Sequence, residues 1–440
     1  MKKHITTLML LLLSTEVMMA QSGTNSPYSQ YALGALAEQS SGFNRGMNGV
    51  GLAFHENGQV NYLNPASYAS LDSLTFIFDA GLAGQVTNFK EGNVKKNANN
   101  ANFEYVVAGF RLFRNLGLSF GILPNTNIGY SYTTSETLKD VNSTTSSSTY
   151  YGTGGLHQVY LGLGWSPFRN FSIGVNGSYL YGNYTRSVTN SYSSSYVNSM
   201  LRQYTADVRS YKLDFGAQYT QKVSKKDWAT IGVTYSPGHK IGGDPTMMQI
   251  TSNSQTSVSD TVSYPGAGQG KLQLEIPTVI GVGLMYNHDN KIKVGVDYTL
   301  QKWGDVDAPT VQNNNGTISY VMTGGQYKNR HKVTAGVDYC PDYMGRHFLT
   351  RLHYKAGVSY ATPYYYIYSP SGSRSDGPKE FSASLGFGIP IINSWNNRST
   401  LNISAQWARQ SATGFIRENV FRINIGLTFN ERWFAKWKLN

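Results

Sequence analysis

Strict two-residue alternation constrains this chain more than anything else in it. In "KIKVGVDYTLQKW", Ile292, Val294, Val296, Tyr298 and Leu300 share one face, while Lys291, Lys293, Asp297, Thr299 and Gln301 share the other. "FRINIGLTF" sets Phe421, Ile423, Ile425, Leu427 and Phe429 against Arg422, Asn424, Gly426 and Thr428. "LNISAQW", "IGVTY", "KVTAGVDY" and "KLDFGAQY" obey the same rule, with Gly, Thr, Asp, Lys or Gln recurring on the second face. A strand of this kind needs an apolar medium on one side and a polar one on the other. A soluble sandwich would satisfy that with shorter strands; two-faced strands of about ten residues are what a barrel crossing a membrane requires.

About fourteen such segments are expected, near 73–89, 103–113, 116–133, 156–166, 171–189, 203–222, 228–238, 272–286, 291–303, 327–340, 348–361, 379–389, 399–409 and 418–429. An even count returns both ends of a single-chain barrel to one side. Short turns such as Arg114–Asn115, Pro167–Asn170 and Ser224–Asp227 alternate with long polar stretches, so a short-turn periplasmic side and a long-loop external side are expected. Thr133–Thr153 and Gly238–Gly270 then read as outer loops. The fold class is all-β: a transmembrane antiparallel β-barrel of about 14 strands.

Lys2 and Lys3, the apolar run Leu8–Leu13 and small Ala20 read as a signal peptide over 1–20, and no cysteine lies nearby to anchor a lipid. Only 14% of residues are charged, yet no stretch after the signal offers the roughly 18 consecutive apolar residues of a helical span. Gly 46 and Tyr 32 suit a barrel with aromatic girdles. The lone Cys340 excludes an intrachain disulfide. The net charge of +12 is dispersed along the chain, which argues against nucleic acid and for anionic lipid headgroups or a basic lumen.

Residues 21–72 precede the first strand, and the barrel is expected over 73–430 with a tail at 431–440. A barrel of this size encloses more space than its own side chains fill, so something must occupy it. The leading stretch is suited to that: "GMNGVGLAF" is small and apolar, Gly49 and Gly51 permit close backbone approach, and Asn64 before Pro65 favours a turn.

The order signal, small-residue hatch, "NPA" (Asn64, Pro65, Ala66) and about fourteen strands resembles the FadL-like outer-membrane transporters of hydrophobic compounds, the long-chain fatty-acid transporter family. "IPTVIGVGLMYNHDNKIKVGVDY", Ile276–Tyr298, is similar to a hairpin of that family. The resemblance implies an N-terminal hatch inside the lumen, with Asn64, Pro65, Ala66, Gly49 and Gly51 as gating residues. It also implies a kinked third strand that opens the wall sideways. "LGLSFGILPNTNIGYSY" carries Pro124 and Asn125 within a strand-like run, and a proline cannot donate to the ladder, so either a bulge or a strand end near a rim is expected there.

The implied function is passive, nucleotide-free uptake of hydrophobic, fatty-acid-like molecules across the outer membrane of a Gram-negative bacterium. They would be captured at external loops, gated by the hatch and released near the third strand. Arg111, Lys355 and Arg422 face the lumen by alternation and are candidate contacts for a ligand carboxylate, or partners of Asp214, Asp297 and Asp338. Tyr364, Tyr365, Tyr366 and Tyr368 suit either a capture surface or an interface girdle. The expected partners are outer-membrane lipids, lipopolysaccharide and a hydrophobic small molecule. The alternative is a barrel component of a protein secretion or surface-assembly machinery, with secretion-system proteins as partners. No enzyme, cofactor or metal is expected: "GLSFG" puts Ser119 in a strand instead of a strand-to-helix elbow, "GAGQGK" lacks phosphate-loop spacing, and the histidines are scattered.

Overall fold

The computed structural model describes residues 23–138, 144–253, 255–256, 259–266, 268, 270–368, 373–392 and 398–432. The expected signal peptide, most of the expected tail and parts of "GAGQGK" lie outside the described residues. No helix among the described residues is long and apolar enough to cross a membrane.

Fourteen antiparallel strands form the wall. They are β1 Thr75–Glu91, β2 Val94–Phe113, β3 Leu116–Thr137, β4 Thr145–Phe168, β5 Phe171–Tyr192, β6 Ser199–Lys222 and β7 Asp227–Ser236. β8 Val279–His288, β9 Ile292–Gln301, β10 Arg330–Tyr339, β11 His353–Ala361, β12 Lys379–Ile392, β13 Arg398–Ser411 and β14 Arg417–Arg432 complete it. Each pairs with the next, and β1 pairs with β14 from Thr75↔Arg432 to Lys90↔Arg417, so the ring of strands closes on itself.

Alternation sorts the side chains as the sequence requires. Val294, Val296 and Tyr298 on β9 and Phe421, Ile423 and Ile425 on β14 are exposed on the outer face, whereas Lys293, Asp297, Asn424 and Thr428 are buried inside. The apolar band on β1, from Phe78 to Val86, spans about 26 Å at roughly 3.3 Å per residue, close to the height of a membrane-facing belt. Outward tyrosines rim it, with Tyr179 opposite Tyr211 at one end and Tyr339 opposite Tyr354 at the other.

Loop length does not separate the two ends of the barrel as expected. The end where β1 begins and β14 finishes, here the turn end, carries the 340–352 connection with its 3-10 turn Phe348–Arg351, so β11 starts at His353 instead of 348. At the opposite, loop end, only Gly92 and Asn93 join β1 to β2. Thr133–Thr153 is mostly not a loop: β3 and β4, at 22 and 24 residues, run on as one ladder to Thr137↔Thr145. Gly238–Gly270 is likewise built: Thr246–Ser252 pairs with the top of β6, and Ser259–Tyr264 with Thr246–Ser252. Serine, threonine and asparagine on both faces suit strands that have left the hydrocarbon and meet water on each side.

The interior is filled by the leading segment. Gly42–Arg45 forms a single helical turn and Pro65–Ser70 a 3-10 turn capped by Asn64. Its apolar residues form two of the three buried clusters, one of Phe43, Met47, Val50, Ala53 and Phe54 with Met285 of the wall, the other around Val60, Tyr62, Tyr68 and Leu71.

Candidate functional site

The lower plug, residues 41–71, sits on glycine. Inward-facing Gly117, Gly164, Gly174 and Gly216 are successive cross-strand neighbours on β3 to β6. A Cβ at Gly174 would lie 2.3 Å from the carbonyl carbon of Pro65, and one at Gly216 would lie 2.0 Å from Asn64 Oδ1. The Asn-Pro-Ala stretch therefore lies flat against a wall stripped of side chains. Gly295, Gly336 and Gly357 form a second row, on β9 to β11, against Phe54, Val50 and Met47.

Polar contacts complete the seat. Asn64 Nδ2 donates to Leu52 O at 2.7 Å and Ala217 O at 3.3 Å, while its Oδ1 accepts from Ala66 N at 3.1 Å. Gly51 N and Leu52 N both donate to Asp297 Oδ2, at 2.7 and 2.9 Å. Gly49 takes a φ of +89°, open to glycine at little cost. Arg45, buried at the plug's centre, pairs with Glu104 at 2.8 Å and donates to Asn424 Oδ1 at 2.9 Å. Lys293 pairs with Glu56.

The sequence-derived lumen cations separate in this setting. Lys355 is buried, with its ammonium 3.5 Å from the centre of the Phe43 ring and donating to Phe43 O and Asn402 Oδ1; it holds the plug. Arg422 pairs with Glu38 at 3.2 Å, donates to Gln85 and Gln406, and lines the lumen cavity. Arg111 lies near the turn end of β2 and does not line that cavity. Asp214 pairs with Lys212, and Asp338 with His353. Burial opposes ionisation of Glu38, but Arg45 and Arg422 outweigh it and hold its carboxyl below the usual range.

Above the plug lies a lumen cavity of about 380 Å³ whose lining mixes Leu33, Leu36 and Leu123 with Gln158, Arg330 and Lys332. Its side wall is a split seam. The β2–β3 ladder runs only from Phe113↔Leu116 to Val106↔Ile122. Just above, β2 bulges against β1, so that Glu104 is an extra residue turned toward Arg45. β3 bulges against β4 between Pro124 and Thr126, with Asn125 as the extra residue. Two bulges on opposite flanks splay the strands, and the proline sits mid-strand, not at a rim.

The upper arm, residues 23–39, fills the split. Ala35 and Leu36 pair with Asn127 and Thr126 of β3, and Ala37 N donates to Asn125 O at 3.1 Å. On the β2 side, Asn25 Nδ2 donates to Asn99 O and Asn102 Nδ2 to Gly23 O. The sequence offered signals for the plug, but none for this strand of two residues, which exists only because β3 presents an unpaired edge. Tyr364 and Tyr365 belong to neither a capture surface nor a girdle: both are buried, donating to Gly34 O and Tyr28 O of the arm, whereas Tyr368 is exposed. Ser119 is buried in β3, donating to Ala108 O and bonded to the Tyr160 hydroxyl.

A closed fourteen-strand barrel, belted with apolar residues outside and stoppered by its own leading segment, is a plugged transmembrane barrel. The chain matches the BamG family model over residues 1–440 and belongs to the BamG family. No curated protein matches it. Among solved structures it is similar to the Pseudomonas putida toluene transporter TodX, with a TM-score of 0.59 and 12% identity over 92% of this chain and 100% of that one. It is also similar to the Ralstonia pickettii toluene transporter TbuX, at 0.55 and 14% over 91% and 99%. A Pseudomonas aeruginosa FadL homologue matches at 0.57 and 14%, over 90% and 98%. The fold is thus that of the FadL-like barrels.

Proposed function

We propose that this protein is a Gram-negative outer-membrane channel for passive passage of hydrophobic small molecules, gated by the leading segment and opening sideways at the seam beside Pro124 and Asn125. The observation that carries the reading is the split itself. It begins at Val106 and Ile122, level with Ala80 within the apolar band, and rises toward the loop end, where Phe103 and Ala101 face outward. A molecule leaving the lumen there meets hydrocarbon, and transfer of apolar surface from water needs no other driving force. The solved structures it resembles are described as transporters of toluene, which supports the same class of cargo. Asn64, Pro65, Ala66, Gly49 and Gly51 act by fixing the lower plug, and Arg422 is the proposed ligand contact in the cavity. Lys355 braces the plug, and Arg111 lies outside the cavity.

The test is to tie the arm to β3 with a disulfide in an Ala35→Cys, Asn127→Cys variant. These are direct partners in an antiparallel pair, where Cα separations of about 4.5–5.5 Å suit a disulfide. Uptake of a fluorescent fatty acid into cells should fall at least tenfold when oxidised and recover on reduction. Equal uptake in both states would remove the seam from the pathway.

A second reading, a barrel component of a surface-assembly machinery, is favoured by a different observation: the β3–β6 strands and the Thr246–Tyr264 hairpin raise a broad ordered wall beyond the membrane belt. Such a wall offers a protein partner a surface that a small-molecule channel does not need. Co-purification of a stoichiometric protein complex with no change in fatty-acid uptake on deleting the gene would decide for it.

A further inference from the structure

Beyond the membrane belt, the tops of β5 and β6, residues 30–33 of the arm and the 303–327 connection enclose a cavity of about 280 Å³. Its walls are largely aromatic: beside Tyr31 of the arm stand Trp303 and five further tyrosines, Tyr130, Tyr184, Tyr204, Tyr320 and Tyr327. Tyr204 and Tyr320 have ring centres 5.9 Å apart, and Trp303 meets Tyr327 edge-on at 5.6 Å. None of the five tyrosine hydroxyls has a hydrogen-bond partner among the described residues. Tyr28, Tyr68, Tyr105, Tyr364 and Tyr365 elsewhere in the interior, by contrast, all bond to protein groups.

Arg186 lines the same cavity. Its guanidinium lies over the Tyr184 ring at 4.6 Å and donates one bond to Ala32 O at 2.6 Å. Its Nε is buried and has no partner. Asp307 also lines it, as does Glu275, which pairs with Lys240 at 3.8 Å and accepts from Asp307 N at 3.3 Å. Aromatic rings, unpartnered tyrosine hydroxyls, a guanidinium donor and two carboxylates, one of them already paired, therefore border one small space.

We propose that this cavity binds a carbohydrate, one or two sugar rings of a surface glycan. The chemistry selects among ligands. A hydrocarbon would cover the hydroxyls and the guanidinium without replacing their bonds to water, which is unfavourable for every one of them. A simple carboxylate would satisfy Arg186, leave the hydroxyls unmatched and face Glu275 and Asp307 with like charge. A sugar offers a C–H face to the rings, and on its edge hydroxyls that both donate and accept, as tyrosine, arginine and carboxylate together require. The size is near the lower limit of small-ligand sites. This site borders the arm through Ala32 O, but none of residues 106–127 of the split lines it, so its failure would leave the transport reading where it stands.

The experiment uses the full chain in a detergent without sugar headgroups. Saturation-transfer NMR is recorded with glucose, galactose, mannose, N-acetylglucosamine and maltose, and with benzoate as the rival. At least one sugar should bind saturably, with transfer to its ring protons. A Tyr204→Phe, Tyr320→Phe double variant keeps both rings and should weaken that binding at least tenfold, as should Arg186→Gln, with the barrel's thermal unfolding unchanged. The proposal is overturned if no sugar binds, if these variants bind as well as the parent, or if benzoate binds at Arg186 and the sugars do not.

Discussion

The two halves of the leading segment sit in one lumen and are held by different physics. The lower plug is seated backbone-to-backbone on glycine rows and pinned by buried charge, with Arg45 on Glu104 and the Gly51 and Leu52 amides on Asp297. The upper arm is held by a two-residue strand pairing, a few amide bonds, the buried Ser26 hydroxyl on Glu418, the Glu38–Arg422 pair at its end and the aromatic roof of Tyr364 and Tyr365. Close packing tolerates little displacement. A short antiparallel pairing on a strand edge is the weaker attachment, and it lies over the only stretch of the β2–β3 boundary that has no ladder. On the proposed reading the plug is the fixed stopper and the arm the movable one.

Four changes break or sharpen that contrast. Gly174→Val should have the largest effect, since a side chain there meets the Pro65 carbonyl at less than van der Waals distance; a folded, heat-modifiable barrel should fail to accumulate in the membrane. A normally accumulating variant would show that the lower plug yields. Arg45→Met leaves Glu104 buried without its partner and should cost about 3–5 kcal/mol in denaturant unfolding. Asn64→Ala removes a cap and two plug bonds, and a loss of about 1–3 kcal/mol is expected from unfolding in urea, with fatty-acid uptake altered in the inserted protein. Asn102→Ala, which touches only the arm, should cost about 0.5–1.5 kcal/mol and speed hydrogen exchange at Gly23–Ala37 without changing exchange at 41–71.

Acid gives a smaller and graded probe. Because Glu38 has a carboxyl held below its unfolded value, its link to Arg45 and Arg422 contributes stability above about pH 4.3 and loses it as pH falls through the depressed value. The Glu38 contribution to arm exchange should therefore appear only as the buffer falls below about pH 4.3. A rise beginning near neutrality would implicate another group.

Strand alternation, read residue by residue, located the faces of β9 and β14 correctly, because lipid on one side and a filled lumen on the other leave only one choice per position. It also exposed the inward glycines as a recurring feature of the polar face without revealing their use. A glycine facing water and a glycine facing the Pro65 carbonyl look alike in one dimension. Lys355 and Arg422 show the same limit: both point inward, but only the folded plug decides that one braces Phe43 and the other borders the cavity. Pro124 carried a local signal for irregular pairing; that the irregularity becomes a split depends on Glu104 bulging on the neighbouring strand, a coincidence of two distant segments.

What the amino-acid order determined alone is the class of object: a barrel wall with an apolar outside, an even strand count and a leading piece small enough to fit within it. Those features follow from periodicity and side-chain volume, which are local. Where the wall parts, which segment covers the gap and where tyrosines gather without hydrogen-bond partners were decided by tertiary structure, because each depends on register between strands far apart in the chain.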